Sequence, residues 1–154
     1  MKNLICLVFL IWTIPQGFAQ LNLVEFEQIV SLQKTEKRNV IVFIHSDWCK
    51  YCQVMKSKTF KNLEVINLLN SKFYFVDFNA EEKRKIVFNN QEFIFKPNGS
   101  NSGIHELAIE LGTINNQISY PVLCVLNAEN EIIFQYNNFL NAKDLITLRK
   151  IHLY

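Results

Sequence analysis

The chain has 154 residues, of which 49% are hydrophobic and 19% charged, and 16 basic side chains stand against 14 acidic ones for a net charge of +2. That balance excludes a protein that works through bulk charge on nucleic acid or an anionic membrane. The length is that of one domain, and four cysteines are too few for a disulfide-stapled framework.

The N-terminus reads as a leader. Lys2 precedes an apolar run from Leu4 to Ile14, Pro15 interrupts it, and Gly17-Phe18-Ala19 places small residues where a signal peptidase reads. Cleavage is expected before Gln20, so that residues 1–19 are removed and 20–154 form a single domain. The apolar run is shorter than the ~20 residues of a membrane-spanning helix. Loss of Lys2 lowers the net charge from +2 to +1. A chain of about 135 residues buries roughly two thirds of its unfolded surface. Export implies a periplasmic or secreted protein in a compartment where disulfides persist.

Leu23, Phe26, Ile29 and Val30 recur at helical spacing, predicting an amphipathic helix that ends near Lys37. Asn39 to Ile44 is a β-branched apolar run that suits a strand covered on both faces. A helix then covers Gln53 to Phe60, a short one is marked by Val65, Ile66, Leu68 and Leu69, and Phe73 to Phe78 reads as a second buried strand. Glu81 to Asn89 is charged, with Glu81 and Lys85 at helical (i, i+4) spacing, and is expected to be a solvated helix. Pro97 to Gly103 is a loop, and Ile104 to Leu111 a helix stopped by Gly112. Val122 to Leu126 and Glu131 to Tyr136 are strands of an antiparallel hairpin across Asn127-Ala128-Glu129-Asn130. Leu145, Leu148 and Ile151 mark a closing helix. This order indicates an α/β domain with a mixed sheet.

The chemistry concentrates in Trp48-Cys49-Lys50-Tyr51-Cys52, between the first strand and a helix. Two cysteines three apart on a helical first turn face each other. At the helix start, Cys49 meets unpaired N–H groups and the positive end of the helix dipole. Both favour the nucleophilic thiolate, and Lys50 adds positive charge nearby. Cys49 is therefore expected to attack and Cys52, one turn deeper, to resolve. Two other readings stay open. In one, the pair and His45 capture copper or zinc, although a second half for a tetrahedral site is not recognisable. In the other, the domain is an interaction module without turnover. Cys124 falls in a predicted buried strand and reads as an inert core thiol.

Asp47-Trp48-Cys49-Lys50-Tyr51-Cys52, followed by Met55 and Phe60, together with Tyr120-Pro121 before a strand, resembles the thioredoxin family. The similarity is to its exported branch, which includes the C-terminal domain of the thiol:disulfide interchange protein DsbD, and it runs from about Asn39 to Leu148. The resemblance implies a thioredoxin-like fold, a central mixed β-sheet flanked by helices on both faces. It implies that Pro121 is cis, that Tyr120 offers backbone groups to an extended substrate, and that Trp48 and Tyr51 flank this groove. It implies protein thiols and disulfides as substrates, an upstream redox partner, no bound cofactor, no metal and a monomer, with a lean toward reductase.

Three departures from the family stand out. Phe43 occupies the position of a buried acid that takes the proton of the second cysteine, leaving His45, Asp77 or water as substitutes; His45 is the candidate thiol-tuning group beside Lys50. Asn138 stands where the family favours a glycine before the last helix, and a left-handed turn is expected there. Finally, the segment between Asp77 and Pro121 is long, with an insertion around 81–103 that would either form a substrate-selecting rim or be a neutral surface loop.

Overall fold

The apolar runs assemble into a four-stranded mixed sheet. In the computed structural model, which describes residues 19–152, strand β1 (Asn39–His45) runs parallel to β2 (Phe73–Asn79) and antiparallel to β9 (Val122–Leu126). β9 pairs antiparallel with β10 (Ile132–Tyr136), giving the order β10-β9-β1-β2. β1 is buried at every position from Val40 onward, as a central strand covered on both faces must be. The expected leader, apart from Ala19, lies outside the described residues. Among the described residues, no helix is long and apolar enough to cross a membrane.

The period-two alternation of the strands divides the core. Val40, Val42 and Ile44 point to one face, where they meet Phe26 and Ile29 of α1 (Phe26–Thr35) and Leu107 and Leu111 of α4 (Glu106–Gly112). Ile41 and Phe43 point to the other. There they meet Cys52 and Met55 of α2 (Lys50–Ser57), Leu69 of α3 (Leu63–Lys72) and Leu145 of α5 (Ala142–His152). A 3-10 turn, Thr59–Lys61, links α2 to α3. Asn62 starts α3 by accepting from the N–H groups of Glu64 and Val65 at 3.0 and 3.2 Å, an N-cap that satisfies otherwise orphaned donors.

The insertion differs from its sequence reading. Residues 81–89 are not helical: Glu82 turns back to accept from the N–H groups of Lys83 and Arg84, a local bond that competes with helix. A hairpin follows, β3 (Ile86–Phe88) and β4 (Gln91–Phe93). Its two-residue turn is Asn89-Asn90, at φ 50° and 61°, the left-handed pair that tight hairpins need. Lys85 pairs with Glu92 at 2.8 Å rather than with Glu81. The expected 97–103 loop is the tip of a second hairpin, β5 (Phe95–Pro97) with β6 (Gly103–His105). Ile104 and His105 are therefore strand, and α4 begins at Glu106. Gly112 is the last residue of α4 rather than a stop beyond it. A Cβ there would press on Ile44 Cδ1 at 3.2 Å, so close packing explains this glycine. A third small hairpin, β7 (Thr113–Ile114) and β8 (Gln117–Ile118), turns on Asn115-Asn116 at φ 52° and 60°. Asn138 is not left-handed; its Oδ1 instead accepts from the Phe139 N–H at 2.8 Å.

Ile86, Phe88 and Phe93 pack into the α1 side of the core, so the hairpins cover the sheet face opposite the cysteines. Arg84 clamps them down through Glu25 and Glu27, each at 2.6 Å. His105 is completely buried. Its Nδ1 accepts from the Leu107 N–H at 3.2 Å, capping α4, and its Nε2 lies 3.1 Å from the Arg84 carbonyl. Accepting at one nitrogen and donating at the other fixes the neutral Nε2–H tautomer.

Burial pushes the His105 imidazole below the usual 6.5, against the pull of the Arg84 carbonyl and of Glu82 and Glu106. The unfolded chain thus holds this proton more readily than the folded one. The resulting stability is full above 6.5 and is lost as pH falls from there through the folded value. Urea denaturation at about pH 7.5 and about pH 5.5 checks this. Wild type is expected to lose more stability between them than His105→Asn, which keeps a cap acceptor but no titrating ring; equal losses would contradict it.

Candidate functional site

β1 ends at the buried His45, buried Ser46 follows, and the chain then surfaces at Asp47 and Trp48. It returns at Cys49, which sits in extended conformation as the N-cap of α2, its sulfur accepting from the Cys52 N–H at 3.1 Å. Cys49 and Cys52 are joined in a disulfide, with Cα atoms 5.2 Å apart. Cys49 is 5% exposed and Cys52 is fully buried, so Cys49 is the sulfur nearer solvent. Lys50 is exposed on the first helical residue.

Aromatic side chains frame the pair. Trp48 is 68% and Tyr51 66% exposed, so both belong to the surface rather than the core. Trp48 meets the ring of Tyr120 edge-on at 5.9 Å, and Tyr51 lies 6.0 Å from Phe139. The Tyr120–Pro121 peptide bond is cis, and Tyr120 packs against the core cluster that contains both cysteines. Burial, reinforced by the charge of Glu81, pushes the Tyr120 phenol up to about 12. Its hydroxyl is buried and has no hydrogen-bond partner among the described residues.

Phe43, His45 and Asp77 share the cysteine side of the sheet, because β1 and β2 pair with Phe43 opposite Asp77. The Phe43 ring stacks on His45 at 5.5 Å. Asp77 Oδ2 binds Lys56 Nζ at 2.7 Å, and Oδ1 lies 3.0 Å from His45 Nε2, close but not in line for a good hydrogen bond. Burial alone would raise the Asp77 carboxyl. The close approach of His45 and the ion pair with Lys56 outweigh it and hold Asp77 below the usual carboxylate range. His45 is 4% exposed, and its Nδ1 has no hydrogen-bond partner among the described residues. A polar cleft of about 360 Å³ opens beside this group at the edge of β2, lined by His45, Asp47, Lys56, Asp77, Asn79 and Arg84 among others.

The structure thus gathers Trp48, Cys49, Tyr51, Cys52, Tyr120 and Pro121 at one end of the sheet, with His45 at the end of β1. Sequence reasoning missed Lys56 and Glu81. Lys56 carried a signal, since it lies four residues after Cys52 and so shares its helical face. Glu81 carried none: its bond from Trp48 Nε1, at 3.2 Å, spans 33 residues. Cys124 is buried in β9 and free of any disulfide, and burial pushes its thiol up to about 12. Among the described residues, no cluster of three or more His, Cys, Asp or Glu side chains is arranged to hold a metal ion.

A sheet with this order, helices on both faces and a disulfide-linked cysteine pair at the start of a helix define a thioredoxin-fold protein. The thioredoxin-like family profile matches residues 22–128, and the chain belongs to that family. Among solved structures it is similar to the DsbH oxidoreductase, at 17% identity over 92% of this chain and 90% of that one, with a TM-score of 0.61. It is also similar to a thioredoxin from Thermus thermophilus, at 19% identity over 86% and 87%, with a TM-score of 0.59. The oxidised C-terminal domain of Neisseria meningitidis DsbD matches at 17% identity over 82% and 90%, with a TM-score of 0.55. Comparison with curated protein sequences finds no match.

Because Asp77 is held below the usual carboxylate range, the stability it confers is present above that range and is lost as pH falls through its folded value. Asp77→Asn leaves Lys56 and His45 without their anion. It should cost roughly 1–3 kcal/mol in chemical denaturation at neutral pH, with the difference from wild type shrinking as acid protonates Asp77. A variant as stable as wild type at neutral pH would contradict this pairing.

Proposed function

We propose that the protein is an exported thiol:disulfide oxidoreductase acting on protein substrates, with residues 1–19 as its cleaved leader and the periplasm or exterior as its workplace. The observation that carries this reading is the Cys49 sulfur seated as the acceptor at the start of α2 and bonded to Cys52. In the reduced state the same seat stabilises a Cys49 thiolate, and Lys50 adds its charge. The thiolate attacks a substrate disulfide, forming a mixed disulfide and releasing one substrate thiolate, which takes up a proton. Cys52 gives up its proton, and its sulfur attacks that of Cys49. The Cys49–Cys52 bond forms, and the second substrate thiol leaves. The substrate gains two electrons, and an upstream dithiol partner restores the pair. No cofactor is needed.

Phe43 cannot accept the Cys52 proton. We assign that role to His45, with Asp77 and Lys56 holding its ring, on the ground that these are the ionisable groups of β1, β2 and α2 that converge on the same sheet face. Trp48, Tyr51, Tyr120 and Pro121 form the groove, in which the backbone of Tyr120 holds an extended substrate segment. The direction we propose is reductive and the working unit a monomer, on the resemblance of the motif to the exported interchange domain.

A Cys52→Ser variant expressed with its leader tests the exchange. It should accumulate mixed disulfides through Cys49 that dissolve in reductant and vanish in Cys49→Ser/Cys52→Ser. Absence of trapped partners would overturn turnover. Titration of the wild type against glutathione tests the direction: a potential at or below the glutathione couple fits a reductase, and one far above it would overturn that assignment.

A further inference from the structure

Although the insertion packs on the sheet face opposite the cysteines, its first residue, Glu81, reaches the active-site side, where its carboxylate accepts from the Trp48 indole N–H at 3.2 Å. Glu81 is anchored from behind. Its own N–H donates to Asn79 Oδ1 at 2.9 Å, and the preceding Ala80 donates to the His45 carbonyl at 2.7 Å and accepts from the His105 N–H at 2.8 Å. The clamped hairpins therefore hold this carboxylate in place.

The position is charged but not neutralised. Glu81 is half-buried and forms no ion pair among the described residues. By contrast, Glu25 and Glu27 are paired to Arg84, Glu92 to Lys85 and Glu106 to Lys96. Among the described residues the one hydrogen-bond donor to its carboxylate is the neutral Trp48 indole. Its charge is felt at the phenol of Tyr120, the residue before Pro121, so it borders the groove between Trp48 and Tyr120. Lys50, the nearest cation in sequence to Cys49, is exposed and screened, whereas a half-buried carboxylate bonded to the Trp48 indole is screened less.

We propose that Glu81 is a specificity-determining residue of the groove, selecting disulfide partners that present a lysine or arginine next to the reacting cysteine. This rests on the exchange reaction proposed above. An approaching cation would pair with the carboxylate while its aliphatic stem lies along Trp48, and an anion would be repelled there.

The test is the rate at which the reduced protein attacks three model disulfide peptides that differ only in the residue beside the cysteine: arginine, glutamine or glutamate. Wild type should favour the arginine over the glutamate peptide by about tenfold at low salt, and less as salt is added. Glu81→Gln, whose amide oxygen can still accept from Trp48, should compress that ratio to about twofold or below, and Glu81→Lys should invert it. Each ratio is read within one variant, so a change in overall reactivity does not enter it. A wild-type ratio near unity, or a Glu81→Gln ratio equal to wild type, overturns the proposal while leaving the exchange reaction intact. If none of the three peptides reacts, the exchange reading falls and this one with it.

Discussion

The structure turns on one sulfur placed where a helix begins. An α-helix starts with N–H groups that have no partner within the helix, and here the Cys49 sulfur answers one of them. A negative charge at such a place gains about 0.3–1 kcal/mol when exposed and up to ~2 when partly buried, which at the upper end is about thirtyfold in thiolate population. Cys49 is only 5% exposed, and burial opposes the charge. The helix end and its neighbours must win that contest for the chemistry to run. Cys52, fully buried one turn on, has no such stabilisation of its own. In the exchange we propose, the difference between the two seats separates attacker from resolver.

The sheet keeps this seat rigid by dividing its labour between faces. On one side, α2, α3 and α5 pack around the cysteines and around the Asp77 pairings. On the other, α1, α4 and the two inserted hairpins build an ordinary apolar layer, tied down by Arg84 and by the buried cap of His105. The Ala80 backbone joins the two, bonded to His45 before the cysteines and to His105 in the insertion. The segment from Glu81 to His105 thus covers the back of the sheet, while Glu81 bonds Trp48 at the front and Arg84 lines the cleft beside His45 and Asp77.

The legible parts of this architecture were those written in local patterns. The unbroken apolar run of β1, the helical spacing of α1 and α3 and the Cys-x-x-Cys at a strand end each state their structure within a few residues, although Leu23 falls outside α1, where it is exposed and bridges to Phe75 of β2. The insertion misled because its charges at helical spacing suggested a helix, whereas their real partners lie far away: Arg84 reaches α1 and Glu81 reaches Trp48. The paired asparagines at 89–90 and 115–116 were the overlooked signal, since asparagine tolerates the left-handed backbone that tight hairpins demand. The His45–Asp77–Lys56 cluster was half visible. The alternation of β1 and β2 puts the first two on the cysteine face, but the register that joins them is a tertiary fact.

The central claim is that the N-terminus of α2 keeps the Cys49 sulfur ionised once the disulfide is opened. The most direct measurement is the rate of alkylation of Cys49 across pH in the reduced Cys52→Ser protein, set against a free cysteine peptide. The account requires Cys49 to react faster than the peptide at neutral pH and to reach its plateau at lower pH. A Cys49 that reacts no faster, and whose rate rises only where the free thiol's does, would contradict it.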